Sequence, residues 1–146
     1  KDCFAYDAGI PAWSEKYPKE TLLLGNPITD PKKQLISKAA FAGKTMSFEE
    51  FKKAAADPNS MVIDVRDHVQ RSKPLPGLEK APVIPLDNFI PNFVKKKINQ
   101  DKKLLIFDQV GKQVNWLEYY LVEYGYKNYA FLKDGATGVL GSQEYK

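Results

Sequence analysis

An α/β domain with a mostly parallel central sheet and helices on both faces is what this sequence predicts, on three observations. Met61-Val62-Ile63-Asp64-Val65 is an apolar run closed by Asp64 and Arg66, the pattern of a buried parallel strand whose polar C-terminal end faces a site. Leu104-Leu105-Ile106-Phe107 is a second such run, and it turns at Asp108-Gln109-Val110-Gly111 into an amphipathic helix. Between and after these runs, helical and strand patterns alternate instead of clustering, which is the order that builds a parallel sheet.

Taken in order, residues 1–27 read as a strand end (Cys3-Phe4-Ala5-Tyr6), a turn at Asp7-Ala8-Gly9 and a short helix carrying Pro11 and Trp13. That is too little chain to bury its own apolar face, so it needs a host surface. Residues 28–46 are expected to form a connecting helix and linker. Asp30 serves as N-cap, Pro31 takes the first helical position, Leu35, Ile36 and Ala39 share one face of a helix over 32–42, and Gly43 stops it.

The main domain is expected over 47–146. It opens with a capping box, Ser47 and Glu50, on a helix that carries Phe48, Phe51 and Ala55 and breaks at Asp57-Pro58-Asn59. The strand over 61–65 follows, then a long charged loop over 66–78. Pro82-Val83-Ile84-Pro85 reads as a short strand, and a helix from Leu86 runs through Phe89, Phe93 and Val94. After the strand over 104–107, Val114, Leu117, Tyr120, Leu121 and Tyr124 recur at helical spacing up to Gly125, with Trp116 also placed in the core. Residues 129–132 make the last strand.

Composition bounds the function. A chain of 146 residues with 43% hydrophobic and 12% aromatic content has room for one ordinary domain and an appendage. The net charge of +4 comes largely from lysines such as Lys95, Lys96, Lys97, Lys102 and Lys103. No aromatic-interleaved basic stripe accompanies them, so they read as a solvated face and not as a nucleic-acid surface. One cysteine, Cys3, allows no intrachain disulfide, and one histidine, His68, allows no multi-histidine zinc site. His68 is expected to be an exposed loop residue. No apolar stretch reaches the length of a transmembrane segment, and neither a metal nor a cofactor is called for. The start at Lys1 without methionine leaves open a removed leader, and with it a periplasmic or secreted location.

The candidate site is the loop Asp108, Gln109, Val110, Gly111, Lys112 and Gln113, because a strand that delivers a loop onto a helix N-terminus presents unpaired N–H groups and a favourable dipole to an anion. Asp108 puts a carboxylate there instead. As a helix cap it would accept N–H groups of Val110 or Gly111, Asp108→Ala would cost about 0.5–2 kcal/mol, and Asp108→Asn would cost little. Arg66, Arg71, Lys73 and Lys112 are placed around the same sheet edge, where a basic rim would hold a small anion or an acidic partner peptide. Asp64 and Asp67 are the acidic residues nearest that edge.

Two stretches also look alike: Phe4-Ala5-Tyr6-Asp7-Ala8-Gly9 with Trp13, and Ala130-Phe131-Leu132-Lys133-Asp134-Gly135 with Val139. With them, Val62-Ile63-Asp64-Val65-Arg66, Pro76-Gly77 followed by Ala81-Pro82-Val83-Ile84-Pro85-Leu86, the 104–113 strand and loop, and Gly125-Tyr126-Lys127-Asn128 stand in the order and spacing of a known pattern. Over residues 47–145 the chain resembles the rhodanese family of sulfurtransferase-like domains, which occur singly or in tandem. The resemblance implies a rhodanese-like sheet, an ion pair between Asp64 and Arg66, and residues 1–27 as the tail of a preceding repeat. Active members of that family carry Cys-x-x-Gly-x-Arg in the loop, whose thiolate becomes a persulfide while amides and the arginine hold the anionic substrate. Here Asp108 stands at the cysteine and Gln113 at the arginine. The resemblance therefore implies a catalytically silent structural or interaction module whose partner is an upstream rhodanese-like repeat or another protein. The alternatives are a sulfurtransferase whose active cysteine loop lies in an upstream repeat, and a module that binds small anions.

Overall fold

The structure is a computed structural model that describes residues 16, 17, 22–71 and 73–141. The strand, turn and helix expected over residues 3–13, with Cys3 and Trp13, lie outside these residues. The chain divides into two units, Lys1–Ala40 and Phe41–Lys146.

In the first unit, β1 (Leu22–Leu23) pairs antiparallel with β2 (Asn26–Pro27) across a turn in which Leu24 and Gly25 both take positive φ, 51° and 86°. The single helix expected over 32–42 is two short ones, α1 (Pro31–Gln34) and α2 (Lys38–Ala42), the second ending two residues into the second unit. Leu35 breaks them by adopting an extended backbone, ψ 132°, and the Ser37 hydroxyl then accepts the Ala40 N–H and starts the second. Pro31 does occupy the first helical position, but Asp30 makes no side-chain cap. Gln34 takes over that task from the other end of the turn, its Oε1 accepting the N–H groups of Thr29 and Asp30 at 2.8 and 2.7 Å.

The second unit is built in the order β3 (Thr45–Met46), α3 (Phe48–Ala55), β4 (Ser60–Asp64), α4 (Leu86–Phe89), β5 (Lys103–Phe107), α5 (Gln113–Glu123), β6 (Tyr129–Leu132) and α6 (Thr137–Leu140). The strands form one parallel sheet in the order β3-β6-β5-β4, with registers such as Ile63 opposite Ile106 and Ile106 opposite Phe131. Strand side chains alternate between faces, and here both faces are buried. Leu104 and Ile106 join Ile63, Phe131, Phe89, Phe93, Leu117 and Leu121 on one face, under α4 and α5. Leu105 and Phe107 join Phe51, Leu75, Leu132 and Ala136 on the other, under α3 and α6. Each fully buried leucine, isoleucine or phenylalanine among them stabilises by about 1.5–3 kcal/mol before ordering costs are counted. The α/β class and the two-sided sheet are as the sequence predicts.

The stretch after β4 also differs from expectation. The strand expected over 82–85 reduces to one bridge, Asp64 to Val83, because Pro82 and Pro85 have no N–H to extend a ladder. Pro82 still accepts from Asp64 N–H, and Ile84 N–H donates to the Asp64 carbonyl. The helix from Leu86 passes into a π turn over Ile90–Val94 with Pro91 near its start, where the missing N–H is least costly.

Local signals account for the helix ends. The Ser47–Glu50 capping box is present: Glu50 Oε2 accepts the Ser47 N–H at 2.9 Å and Ser47 Oγ accepts the Glu50 N–H at 3.4 Å. Hydrogen bonds from Ser47 hold the Glu50 carboxyl below its usual pKa. At the other end of the unit's longest helix, Gly125 takes φ +83°, and the Tyr126 and Gly125 N–H groups bond the Leu121 and Val122 carbonyls. The Tyr126 hydroxyl donates to the Ile98 carbonyl at 2.8 Å, and burial pushes its pKa up to about 12. Among the described residues no helix is long and apolar enough to cross a membrane.

The buried face of α5 is not the one expected in full. Trp116 is 50% exposed, edge-on to Tyr120, because residues 114, 117, 118 and 121 take the inward positions. The residue that replaces it inside is Glu118, 3% exposed, whose Oε1 accepts the Tyr129 hydroxyl at 3.0 Å. Burial raises the Glu118 pKa, against the opposing effects of the Tyr129 hydrogen bond and the Lys44 charge, and it raises that of Tyr129 as well. Lys44 Nζ lies 4.6 Å from the centre of the Tyr129 ring. A folded-state pKa above the unfolded one means a contribution that is whole below the unfolded pKa and lost as pH rises through the folded one. Glu118→Gln, which carries no charge, should therefore gain on the parent as pH climbs from about 4 to 8, with the two converging in acid. Urea midpoints across that range check this; a difference that stays flat with pH would show that Glu118 titrates as it does in the unfolded chain.

Candidate functional site

Three strand ends meet at the C-terminal edge of the sheet, the place where parallel α/β sheets collect ligands. β4 ends at Asp64, β5 runs into Asp108, and β6 runs into the turn over 133–136.

The 108–112 loop leaves β5 and lies directly on the backbone of the 133–136 turn. Asp134 and Gly135 both take positive φ, 60° and 58°, and a Cβ on Gly135 would fall 2.7 Å from the Asp108 carbonyl oxygen and the Gly111 nitrogen. Only glycine permits that approach. Gly111, at φ +72°, sits over Asp134 in the same way, its Cβ position 3.2 Å from the Asp134 Cα. Hydrogen bonds fasten the contact: Ala136 N–H donates to the Asp108 carbonyl and Thr137 N–H to that of Gln109, both at 2.8 Å. The Gln109 amide nitrogen also donates to Thr137 Oγ1 at 3.0 Å.

Held this way, the loop turns its amides onto the side chain of its own first residue. Asp108 is 0% exposed. Its Oδ1 accepts the Gly111 N–H at 2.6 Å, and its Oδ2 accepts those of Gln113 and Val114 at 2.7 and 3.2 Å. The expected contact with Gly111 is present, whereas the remaining donors are the first two residues of α5 and not Val110. Val110 is exposed, as are Lys112 and Gln113. Gln113 lines a small cavity of about 70 Å³ with Val65, Asp67, Pro85, Leu86 and Asp87.

Beside the loop, Arg66 is fully buried and its guanidinium grips Asp64 in two places, Nε to Oδ1 at 2.9 Å and Nη2 to Oδ2 at 2.8 Å. Nη2 also reaches the Lys73 carbonyl at 3.1 Å, and the group lies 5.3 Å from the centre of the Phe107 ring. The structure thus places Arg66 under the surface as a strut between β4 and the loop after it, away from any rim. Arg71 stays on the surface, its Nε 3.8 Å from Asp64 Oδ2, and Lys73 is exposed. His68 is exposed in a single 3-10 turn, capped by Asp67. Among the described residues no three of His, Cys, Asp and Glu gather closely enough to hold a metal ion.

Of the residues that sequence reasoning brought together, Asp64 and Asp108 stand at the ends of the paired strands β4 and β5. That reasoning missed Gly135 as the floor of the loop; an Asp-Gly pair one residue past the end of a strand was the available signal. Glu118 was also missed, although its place four residues after Val114 lies on the apolar stripe.

Comparison with known proteins agrees with this architecture. Two solved structures share the fold: the Alr3790 protein from Anabaena sp., 15% identical, with 67% of this chain and 79% of that one covered at a TM-score of 0.50, and RPA3614 from Rhodopseudomonas palustris CGA009, 15% identical, covering 72% and 89% at 0.52. The second is a protein of unknown function described as a possible tyrosine phosphatase. No curated protein matches the sequence. Residues 47–141, more than half of the chain, match the family of the rhodanese-like domain. With its parallel sheet, its two-sided core and that match, this chain belongs to the rhodanese-like domain family.

Proposed function

We propose that this chain is a rhodanese-like domain without sulfurtransferase activity, used as a structural or interaction module. One observation carries the reading: Asp108, which stands where the resemblance expects the nucleophile of active members, has a carboxylate that is buried and accepts three backbone N–H groups. Sulfur transfer needs a thiolate at that position to attack the donor and carry the persulfide. A carboxylate cannot form one, and this carboxylate has no open face from which to attack anything. Gln113 stands where the anion-holding arginine is expected, and it brings no charge.

A phosphatase reading, suggested by the description of the R. palustris protein, meets the same obstacle, since that chemistry on this loop also begins with a cysteine. Phosphoryl transfer through an acidic metal site fares no better, because Asp64 is bound on both oxygens by Arg66. In an assay with thiosulfate and cyanide, the chain should form no thiocyanate above a Cys3→Ala control. Robust turnover that disappears in that control would overturn the silent reading and move the chemistry to Cys3.

A further inference from the structure

We propose that the outer edge of β4 is a peptide-binding site: an extended segment of a partner protein, apolar at alternate positions and acidic at its ends, adds there as a short parallel strand. This rests on the reading of the chain as an interaction module and places its contact surface away from the 108–113 loop.

Among the described residues β4 ends the sheet on one side, with β5 as its strand neighbour. Lys103 N–H donates to the Asn59 carbonyl and Val65 N–H to that of Phe107, so the odd residues of β4 turn their backbone groups to β5 and the even ones turn theirs outward. Asp64 spends its outward pair on the Pro82 carbonyl and the Ile84 N–H, at 3.0 and 2.9 Å. Carried back along the Asp64 to Val83 register, the Val62 carbonyl faces Pro82, which has no N–H, and the next two groups, Val62 N–H and the Ser60 carbonyl, would meet Lys80. Lys80 does not take that place. The chain before Pro82 closes two tight turns on itself instead, Leu78 N–H to the Leu75 carbonyl and Ala81 N–H to the Leu78 carbonyl, both at 3.0 Å. Among the described residues, Val62 N–H and the Ser60 carbonyl therefore have no backbone partner.

A cavity of about 490 Å³ lies against this stretch, with Ala55, Leu78 and Ala81 among its walls. An unpaired strand edge beside an apolar wall is what an extended peptide pairs with. In a parallel strand a single residue can donate to Ser60 and accept from Val62. Its two neighbours then carry side chains on the face of Val62, the face on which Ala55 and Leu78 also pack. Charge selects the ends. Glu79 Oε1 is taken by the Gly77 N–H at 2.8 Å, whereas Lys80 is exposed and in none of the ion pairs among the described residues.

The test is titration of the parent with the capped pentapeptide acetyl-Glu-Val-Thr-Val-Glu-amide, followed by amide resonances. The Val62 amide should move downfield and saturate with a Kd on the order of 1 mM, with changes over residues 60–62 and 78–81. Proline in place of the central threonine removes the donor to Ser60 and should weaken binding about 3–10-fold. Lysines in place of the glutamates should weaken it about 2–5-fold, a difference that salt removes. Ala55→Leu keeps a good helix former while filling the wall, and should prevent saturation. No saturable change at Val62 would overturn the proposal, as would equal binding of the proline peptide or undiminished binding by Ala55→Leu. A Val62 amide that moves when the protein alone is concentrated would overturn it too, by showing a second copy of the chain on this edge. Thiocyanate formation by the parent bears on the silent reading alone and leaves the peptide result to be judged by itself.

Discussion

Asp108→Ala should lower the unfolding free energy by about 3–5 kcal/mol, well beyond the cost of an ordinary helix cap. An exposed cap loses one hydrogen bond that water replaces. Here three N–H groups lose a charged acceptor that is itself fully buried, and a buried donor such as that of Val114 left without a partner costs about 1–3 kcal/mol. Asparagine, which sequence reasoning treats as a near-neutral replacement, should be costly too. Its single carbonyl oxygen can serve the Gly111 donor or the Gln113 and Val114 pair, while its amide nitrogen must then face an N–H on the other side. The better orientation abandons Gly111, for a loss of about 1–3 kcal/mol. Urea unfolding of the two variants against the parent measures both. An Asp108→Asn protein as stable as the parent would show that one oxygen suffices and that the second set of contacts is weak.

That contrast shows where the sequence was readable. The strands over 61–65 and 104–107 were legible because parallel strands buried on both faces need near-continuous apolar runs, and few other elements do. The Ser47–Glu50 box and the glycine after α5 were legible because caps are local chemistry, settled within one turn. Leu35, Trp116 and Glu118 were not. Leu35 fits a helical stripe but takes an extended backbone, so propensity there yielded to the path of the chain. Trp116 and Glu118 exchange the places that hydropathy assigns them, because the Tyr129 hydroxyl gives the carboxylate a partner inside. At the candidate site the order of residues located the loop, but only the fold shows that the amides point inward. Asp108 reads as a cap from sequence; the loop that wraps its carboxylate is seated on Gly135, which arrives from the turn after the neighbouring strand β6.

Breaking the Asp64–Arg66 pair should have an effect of the same size. Arg66 is fully buried and Asp64 is 3% exposed, so removing Asp64 strands the guanidinium, and removing Arg66 leaves the carboxylate only the 3.8 Å contact with Arg71. Arg66→Met and Asp64→Asn should each destabilise by about 3–5 kcal/mol. The double variant should recover part of the loss, because two neutral groups share the space without a stranded charge. Arg71→Ala provides the contrast: its 3.8 Å contact with the same carboxylate comes from a side chain 38% exposed, which water screens, and about 0–1 kcal/mol is expected. The series also separates two roles for Arg66. A guanidinium kept for an anionic ligand would be held at its own cost, and Arg66→Met would leave stability unchanged or improved. One that braces β4 against the following loop, through Asp64 on one side and the Lys73 carbonyl on the other, cannot be removed without that loss.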